Sequence, residues 1–251
     1  MDNVCICIPA RYGSSRLEGK PLMKIMNKTI INHVYDNVSK LNYNTVILTD
    51  DHRIYNEVIC FGGKVEMITE YCLNGTDRII KYLRKHNINE GVIVNVQGDE
   101  PFIDHKNIEA AINNYFDKKK NDNSLVCSTL FYETNDPYEI KSRSRGKLVL
   151  NKNSDIMYCS RNIIPAFKSK EYNEEYKYKI HVGIFVFDCE YLLNNYEKEN
   201  TDLQLCEDIE WMKILEQGYK INAVQIENHE IGVDTIDDLN YLIEKYETKR
   251  E

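Results

Sequence analysis

No run of eighteen apolar residues occurs anywhere in the 251-residue sequence, so no segment is expected to span a membrane. The opening MDNVCICIPA has neither a basic n-region nor a long apolar stretch, which argues against a secretory signal and predicts a cytoplasmic protein. An excess of positive charge is missing too. The net charge is −8, and the basic clusters at 118–120 and 141–147 are short and read as solvated faces, so nucleic acid is not expected as a partner. Eight cysteines stand at positions 5, 7, 60, 72, 127, 159, 189 and 206, yet no C-x-x-C pair is among them. Most lie in apolar, strand-like runs, which fits reduced thiols packed as small hydrophobes and argues against zinc or a disulfide framework. Repeats, low-complexity tracts and linkers are also lacking. The chain therefore reads as one domain, 1–251, and its 42% hydrophobic content suffices for a core.

What the sequence does have is an organising stretch at residues 4–22, VCICIPARYGSSRLEGKPL. An apolar run breaks at Pro9 and gives way to small and basic residues until Leu22. Gly13 and the serines let backbone N–H groups approach an anion, and Arg11, Arg16 and Lys20 neutralise it. A polyphosphate seat is one reading; a surface loop with solvated cations is the other. Neither standard glycine motif fits. A Walker loop would end in Gly-Lys-Ser/Thr, but Gly19-Lys20 runs into Pro21, and the three spaced glycines of a dinucleotide fingerprint are absent.

Downstream, strand and helix patterns alternate. Residues 30–41 have helical apolar spacing, 45–48 is a β-rich run, and Thr49-Asp50-Asp51 can cap the helix at 54–61, which stops at Gly62-Gly63. Residues 65–68 form a third strand, and Asn74-Gly75-Thr76-Asp77 opens a helix to about His86. This rhythm predicts a doubly wound α/β fold with a mainly parallel sheet. Residues 91–96, GVIVNV, read as a central strand buried on both faces, ending in Gln97-Gly98-Asp99-Glu100-Pro101. A carboxylate at a strand's end beside a cationic loop suggests a Mg²⁺ ligand; the alternative is that Asp99 and Glu100 only cap the helix around 108–115. After residue 125 the pattern changes. Residues 125–131, 147–150, 156–160 and 180–187 read as strands separated by loops, antiparallel additions that build a lid, a sugar pocket or a subunit contact. Residues 206–217 read as one helix stopped by Gly218, 221–225 as a strand, and Thr235 as the cap of a last helix over 236–246.

With these segments in place the chain resembles a known family. Ile8-Pro9-Ala10-Arg11-Tyr12-Gly13-Ser14-Ser15-Arg16-Leu17-x-Gly19-Lys20-Pro21 is similar to the signature loop of sugar nucleotidyltransferases. Asn95-Val96-Gln97-Gly98-Asp99-Glu100-Pro101 narrows the resemblance to the 3-deoxy-manno-octulosonate cytidylyltransferases. Gly75-Thr76-Asp77-Arg78, Ser160-Arg161-x-x-Ile164-Pro165, His181-x-Gly183-Ile184 and Gly232-Val233-Asp234-Thr235 follow in the family's order. The resemblance implies a three-layer, Rossmann-like nucleotide-diphospho-sugar transferase fold with a mixed, mostly parallel sheet. It implies Mg²⁺-dependent transfer of CMP from CTP to 3-deoxy-D-manno-octulosonate (Kdo), feeding lipopolysaccharide or capsule assembly. It also implies a homodimer, with a strand-rich region about 125–190 for sugar and subunit contact. On this resemblance Arg11, Arg16, Lys20, Asp99 and Asp234 are catalytic, and Asp99 and Asp234 share the metal. Ala10, Arg11, Gly13, Ser14, Arg16, Lys20, Asn74, Gly75, Thr76 and Arg78 bind the nucleotide. Gln97, Arg161, His181 and Glu210 meet the sugar, Arg161 as a bidentate partner of its carboxylate. From the residues alone, His181 also reads as a core histidine bonded to a carbonyl, and Glu207 and Glu210 as one solvated helix face.

The sequence departs from the family pattern in places. Asn74 and Asp77 stand where Ser and Glu are usual, and Glu18 replaces a proline. Phe185 stands where a tyrosine is expected, and Leu203-Gln204…Glu210-Trp211 replaces Leu-Glu…Glu-Gln. The last two cluster on the sugar side, where a lost hydroxyl and a bulky indole would reshape a pocket. Two other readings follow: CMP activation of a different acid sugar, such as 8-amino-Kdo or a sialic-acid-like nonulosonate, and a silent homologue that only binds CTP.

Overall fold

The computed structural model describes residues 3–13, 17–196, 201–227 and 229–247; Ser14 and Arg16 lie outside the described residues. The chain forms two compact units, Met1–Lys106 with His229–Glu251, and Asn107–Asn228.

In the first unit β1 (Val4–Ala10) is followed by the short hairpin strands β2 (Lys24–Ile25) and β3 (Lys28–Thr29), then α1 (Ile30–Val38) and β4 (Asn44–Thr49). After these come α2 (His52–Cys60), β5 (Val65–Met67), α3 (Gly75–Lys85) and β6 (Val92–Val96). Four strands run parallel in the order β6-β1-β4-β5. Ile6, Cys7, Ile8, Val94 and Val96 are buried, as unbroken apolar runs should be when helices cover both faces. Ile30, Ile31, Val34 and Val38 give α1 a buried stripe at helical spacing. The expected caps form: Asp51 accepts the Arg53 N–H, and Asn74 accepts the Asp77 N–H. From β1 the chain steps to β4 and β5 on one side, then places β6 on the other. That reversal opens a crevice beyond the carboxyl ends of β1 and β6, from which residues 11–13 and 97–101 emerge.

Helix α4 (His105–Lys119) leads into the second unit, with β7 (Leu125–Thr134), α5 (Pro137–Lys141), β8 (Lys147–Leu150), β9 (Ile156–Ser160) and β10 (Tyr178–Asp188). Then come α6 (Cys189–Tyr191), α7 (Asp202–Glu207), α8 (Met212–Glu216) and β11 (Lys220–Gln225), before α9 (Ile236–Glu247) returns to the first unit. Here β7 is parallel to β11 and antiparallel to β10, while β8 pairs antiparallel with both β10 and β9. Asn222 ties this sheet to its surroundings: its amide donates to Asn153 O and Asp155 Oδ1 and accepts from Asn114.

Three expectations are corrected. Residues 206–217, expected as one helix, form two: α7 ends at Glu207, Asp208 is left-handed at φ 52°, and α8 starts at Met212. The cause lies far away in sequence, because the Arg161 guanidinium takes the carbonyls of Glu207 and Asp208 that a continuing helix would use. Glu207 and Glu210 therefore do not share a helix face. Asp99 and Glu100 do not cap α4, which starts at His105 with Asp104 accepting the Lys106 N–H. The connection from β7 to β8 contains α5, capped by Asp136. No helix among the described residues is long and apolar enough to cross a membrane.

Asp122 clamps the entry of β7 to that of β11: it accepts from the Ser124 N–H and hydroxyl and from Lys220 Nζ at 2.6 Å. Those bonds, Lys220's first, hold its carboxyl at about 2, below the ordinary value of about 3.9. The contribution is therefore complete above about pH 4 and is lost as pH falls towards 2. In urea titrations Asp122→Asn should be less stable than the parent at neutral pH and converge with it as pH falls from about 4 towards 2. An offset that persists in acid would contradict the assignment.

Candidate active site

Lys20 reaches the crevice because the loop before it closes tightly. Gly19 is left-handed (φ 69°), its N–H bonds Tyr12 O at 2.9 Å, and a Cβ there would lie 3.0 Å from the Tyr12 ring. Arg53 stacks on that ring at 3.2 Å. Pro21 then starts a short 3₁₀ turn, Lys20–Leu22, which leaves Lys20 only 9% exposed. Its Nζ lies 2.6 Å from Asp99 Oδ2 and 3.5 Å from Asp234 Oδ1.

The two carboxylates are placed by backbone and core. Gly98 allows the turn after β6 to press on β1, for a Cβ there would meet Pro9 O at 2.9 Å. The Val233 N–H donates to Asp99 O at 2.8 Å, and the Val233 side chain packs with Ile25, Ile30, Leu239 and Leu242. Asp238 Oδ2 accepts from the N–H groups of Asp234 and Thr235 and from the Thr235 hydroxyl, while Thr235 Oγ1 accepts the Asp238 N–H. Thr235 thus caps α9 as expected and aims Asp234 at Lys20. Asp99 and Asp234 are the residues that could hold a divalent cation. Two carboxylates against one ammonium leave a net charge of −1, and their side chains are 29% and 40% exposed. Among the described residues no group of three or more His, Cys, Asp or Glu side chains could hold a metal. A cation here would need phosphate or water oxygens to complete its shell, as Mg²⁺ prefers.

The other nucleotide candidates of the first unit surround the end of β1. Ala10 is buried opposite Thr49, whereas Arg11 and Gly13 are exposed. Asn74 caps α3, and a Cβ on Gly75 would lie 2.9 Å from Pro9 Cγ. Thr76 is fully buried and accepts from Asn95 Nδ2 at 3.3 Å. Arg78, 4% exposed, donates to Asp50 at 2.6 Å, and its buried Nη1 has no hydrogen-bond partner among the described residues. Such an unsatisfied donor suits a ligand acceptor. Asp50, expected only in a capping run, and Asn95, expected only as part of a motif, are not among the binding residues predicted from the sequence; Asn95 stands out there as a lone amide inside an otherwise apolar strand. Gln97 directly follows β6.

In the second unit His181 is half-buried on β10, and its Nε2 lies 2.9 Å from the hydroxyl oxygen of Thr129. Its ring sits 5.1 Å from that of Phe185 and 5.0 Å from that of Trp211. Glu210 is half-buried in the break between α7 and α8. Arg161 does not present the free fork expected of it. Its Nε donates to Glu207 O, Nη1 to Arg143 O and Ser144 O, and Nη2 to Asp208 O and Oδ2, so all five N–H groups are engaged. Fully buried Lys147 braces the same corner, donating to the carbonyls of Ser142, Arg145 and Arg161 at 2.7, 2.8 and 2.6 Å.

Residues 5–221 match the cytidylyltransferase family. The 3-deoxy-manno-octulosonate cytidylyltransferase of Fusobacterium nucleatum is 38% identical over 237 residues, covering 94% of this chain and 94% of the relative. That of Protochlamydia amoebophila is 35% identical over 237 residues, covering 93% and 90%. A solved CMP:2-keto-3-deoxy-manno-octonic acid synthetase complexed with CTP superposes with a TM-score of 0.87 at 30% identity, covering 98% of this chain and 99% of that one. The chain belongs to the cytidylyltransferase family, in its 3-deoxy-manno-octulosonate branch.

The α/β nucleotidyltransferase fold expected from the sequence is therefore the fold of this cytidylyltransferase. Two of its departures from the family pattern, Phe185 and Trp211, are both 4% exposed and both touch the His181 ring. If Arg161 acts as a brace, Arg161→Ala should destabilise the cytidylyltransferase by about 2 kcal/mol, because several carbonyls lose their donor. Urea unfolding measures this. An unchanged midpoint would contradict the bracing role.

Proposed function

We propose that this protein transfers CMP from CTP to Kdo, releasing pyrophosphate. The observation that carries this reading is the Lys20 ammonium shared by Asp99 and Asp234 at the head of the β1–β6 crevice, in a chain of this family. The anomeric hydroxyl of the sugar attacks the α-phosphorus while pyrophosphate leaves in line. The chain contributes position and charge neutralisation. Arg11, Ser14, Arg16 and Lys20 hold the triphosphate, with Ala10 and Gly13 in the same loop, and Lys20 steadies the charge of the departing pyrophosphate. Asn74, Gly75, Thr76 and Arg78 hold the nucleotide, and the open Nη1 of Arg78 supports that role. Asp99 and Asp234 hold Mg²⁺, which when bound supplies charge neutralisation at the triphosphate. Gln97, Arg161, His181 and Glu210 are the sugar-side residues, Arg161 through the corner it braces.

A second reading keeps the reaction and changes the acid. Phe185 and Trp211 pack an apolar pair around His181, which favours a sugar that needs no tyrosine hydroxyl there. The protein acts in the cytoplasm, as a homodimer, ahead of lipopolysaccharide or capsule assembly. The edge strand β9, which carries Met157 at 62% exposure, supports a subunit contact in the region 156–190.

With CTP and Mg²⁺, purified protein should release pyrophosphate when Kdo is added, and should sediment as a dimer at micromolar concentration. In a panel with 8-amino-Kdo and a nonulosonate, Kdo should give the highest kcat/KM. Activity with another acid alone would transfer the assignment to that sugar. No turnover with any would leave a CTP-binding homologue, and a monomer would remove the subunit contact.

A further inference from the structure

The loop that carries Arg11 and Lys20 is held from outside by an exposed side chain, Arg53. Arg53 is the second residue of α2, a helix fixed to the core through Ile54 and Val58, both fully buried. One edge of its guanidinium takes Asp51 in a fork, Nε to Oδ1 at 2.9 Å and Nη2 to Oδ2 at 2.7 Å. Asp51 is itself anchored, because it caps the helix by accepting the Arg53 N–H at 2.8 Å. The guanidinium carbon lies over the Tyr12 ring, 3.2 Å from its centroid. Tyr12 in turn sets the returning end of the loop. Its carbonyl accepts the Gly19 N–H at 2.9 Å, and its ring lies so close to Gly19 that a Cβ there would meet it at 3.0 Å. Lys20 follows directly, with its Nζ between Asp99 and Asp234. Contact therefore runs from α2 through Arg53 and Tyr12 to Gly19, and Arg11 and Lys20 stand one residue beyond it at either end. Glu18, which replaces the family's proline, adds an attractive charge to the same guanidinium.

We propose that Arg53 is a positioning residue for triphosphate binding: by clamping the Tyr12 ring to α2 it fixes both ends of the loop, so that Arg11 and Lys20 are already placed for the phosphate chain. This rests on the reading that the loop seats the triphosphate. A loop set in advance spares CTP the cost of ordering it. The planar fork suits this task better than an ammonium, since it lies flat on a ring and bonds a carboxylate along its edge at once. The rival account is a distant charge that attracts CTP without acting on the loop. The contact with Tyr12 separates the two, because a distant charge needs no ring beneath it.

Isothermal titration calorimetry of the intact protein with CTP and with CMP, both in Mg²⁺, reads the role. Arg53→Met keeps the stem and removes the fork and the charge. It should weaken CTP about fivefold, the equivalent of one surface cation–π contact. CMP, which lacks the two outer phosphates, should bind as it does to the parent. Tyr12→Leu should weaken CTP as well, and in that background Arg53→Met should cost nothing further. Undiminished CTP affinity in Arg53→Met overturns the proposal. An equal loss for CTP and CMP also overturns it, by marking a general loosening of the fold. A loss that persists in the Tyr12→Leu background overturns it too, by marking a distant charge. Lys20→Met checks the underlying reading separately. If that variant leaves CTP affinity unchanged, the loop is not the triphosphate seat, and the role of Arg53 falls with it.

Discussion

A single ammonium, that of Lys20, joins two carboxylates that lie far apart in the sequence. Side by side and partly wet, Asp99 and Asp234 would repel each other without a cation between them. Because both remain partly exposed, the arrangement adds little to stability. What it does is keep a compact anionic site beside a cationic loop, which is the charge pattern a metal-bound triphosphate requires. Nearby constraints serve this placement: the left-handed Gly19, the tight approach of Gly98 to Pro9, and the bond from Val233 to Asp99.

Much of this was legible in the sequence where local pattern and tertiary position agree. The apolar runs at 4–8 and 91–96 could only be strands covered on both faces, and their loops fall at a strand-order reversal. Asp51, Asn74 and Thr235 cap their helices because the cap is a local bond. The meeting of Asp99 with Asp234 was not readable from spacing, since it depends on how α9 packs; family resemblance supplied it.

The second unit was harder to read because its decisive bonds are long-range. Nothing between 201 and 218 announces that the helix breaks at Asp208, for the breaking group is Arg161. The same bonds make Arg161 a brace, where a positive charge on a family motif suggested a ligand. The register slip of β10 against β7 leaves no periodicity signal either, yet it decides which atoms face Thr129. Phe185 and Trp211 were visible as departures in the sequence, and their meaning came only from their contact with one imidazole.

The most direct test of the paired carboxylates is the equilibrium binding of Mn²⁺, followed by electron paramagnetic resonance in the presence of CTP. The wild-type protein should bind the ion, and Asp99→Asn and Asp234→Asn should each weaken it by about tenfold or more. Undiminished binding in both variants would show that the two aspartates do not form the cation site.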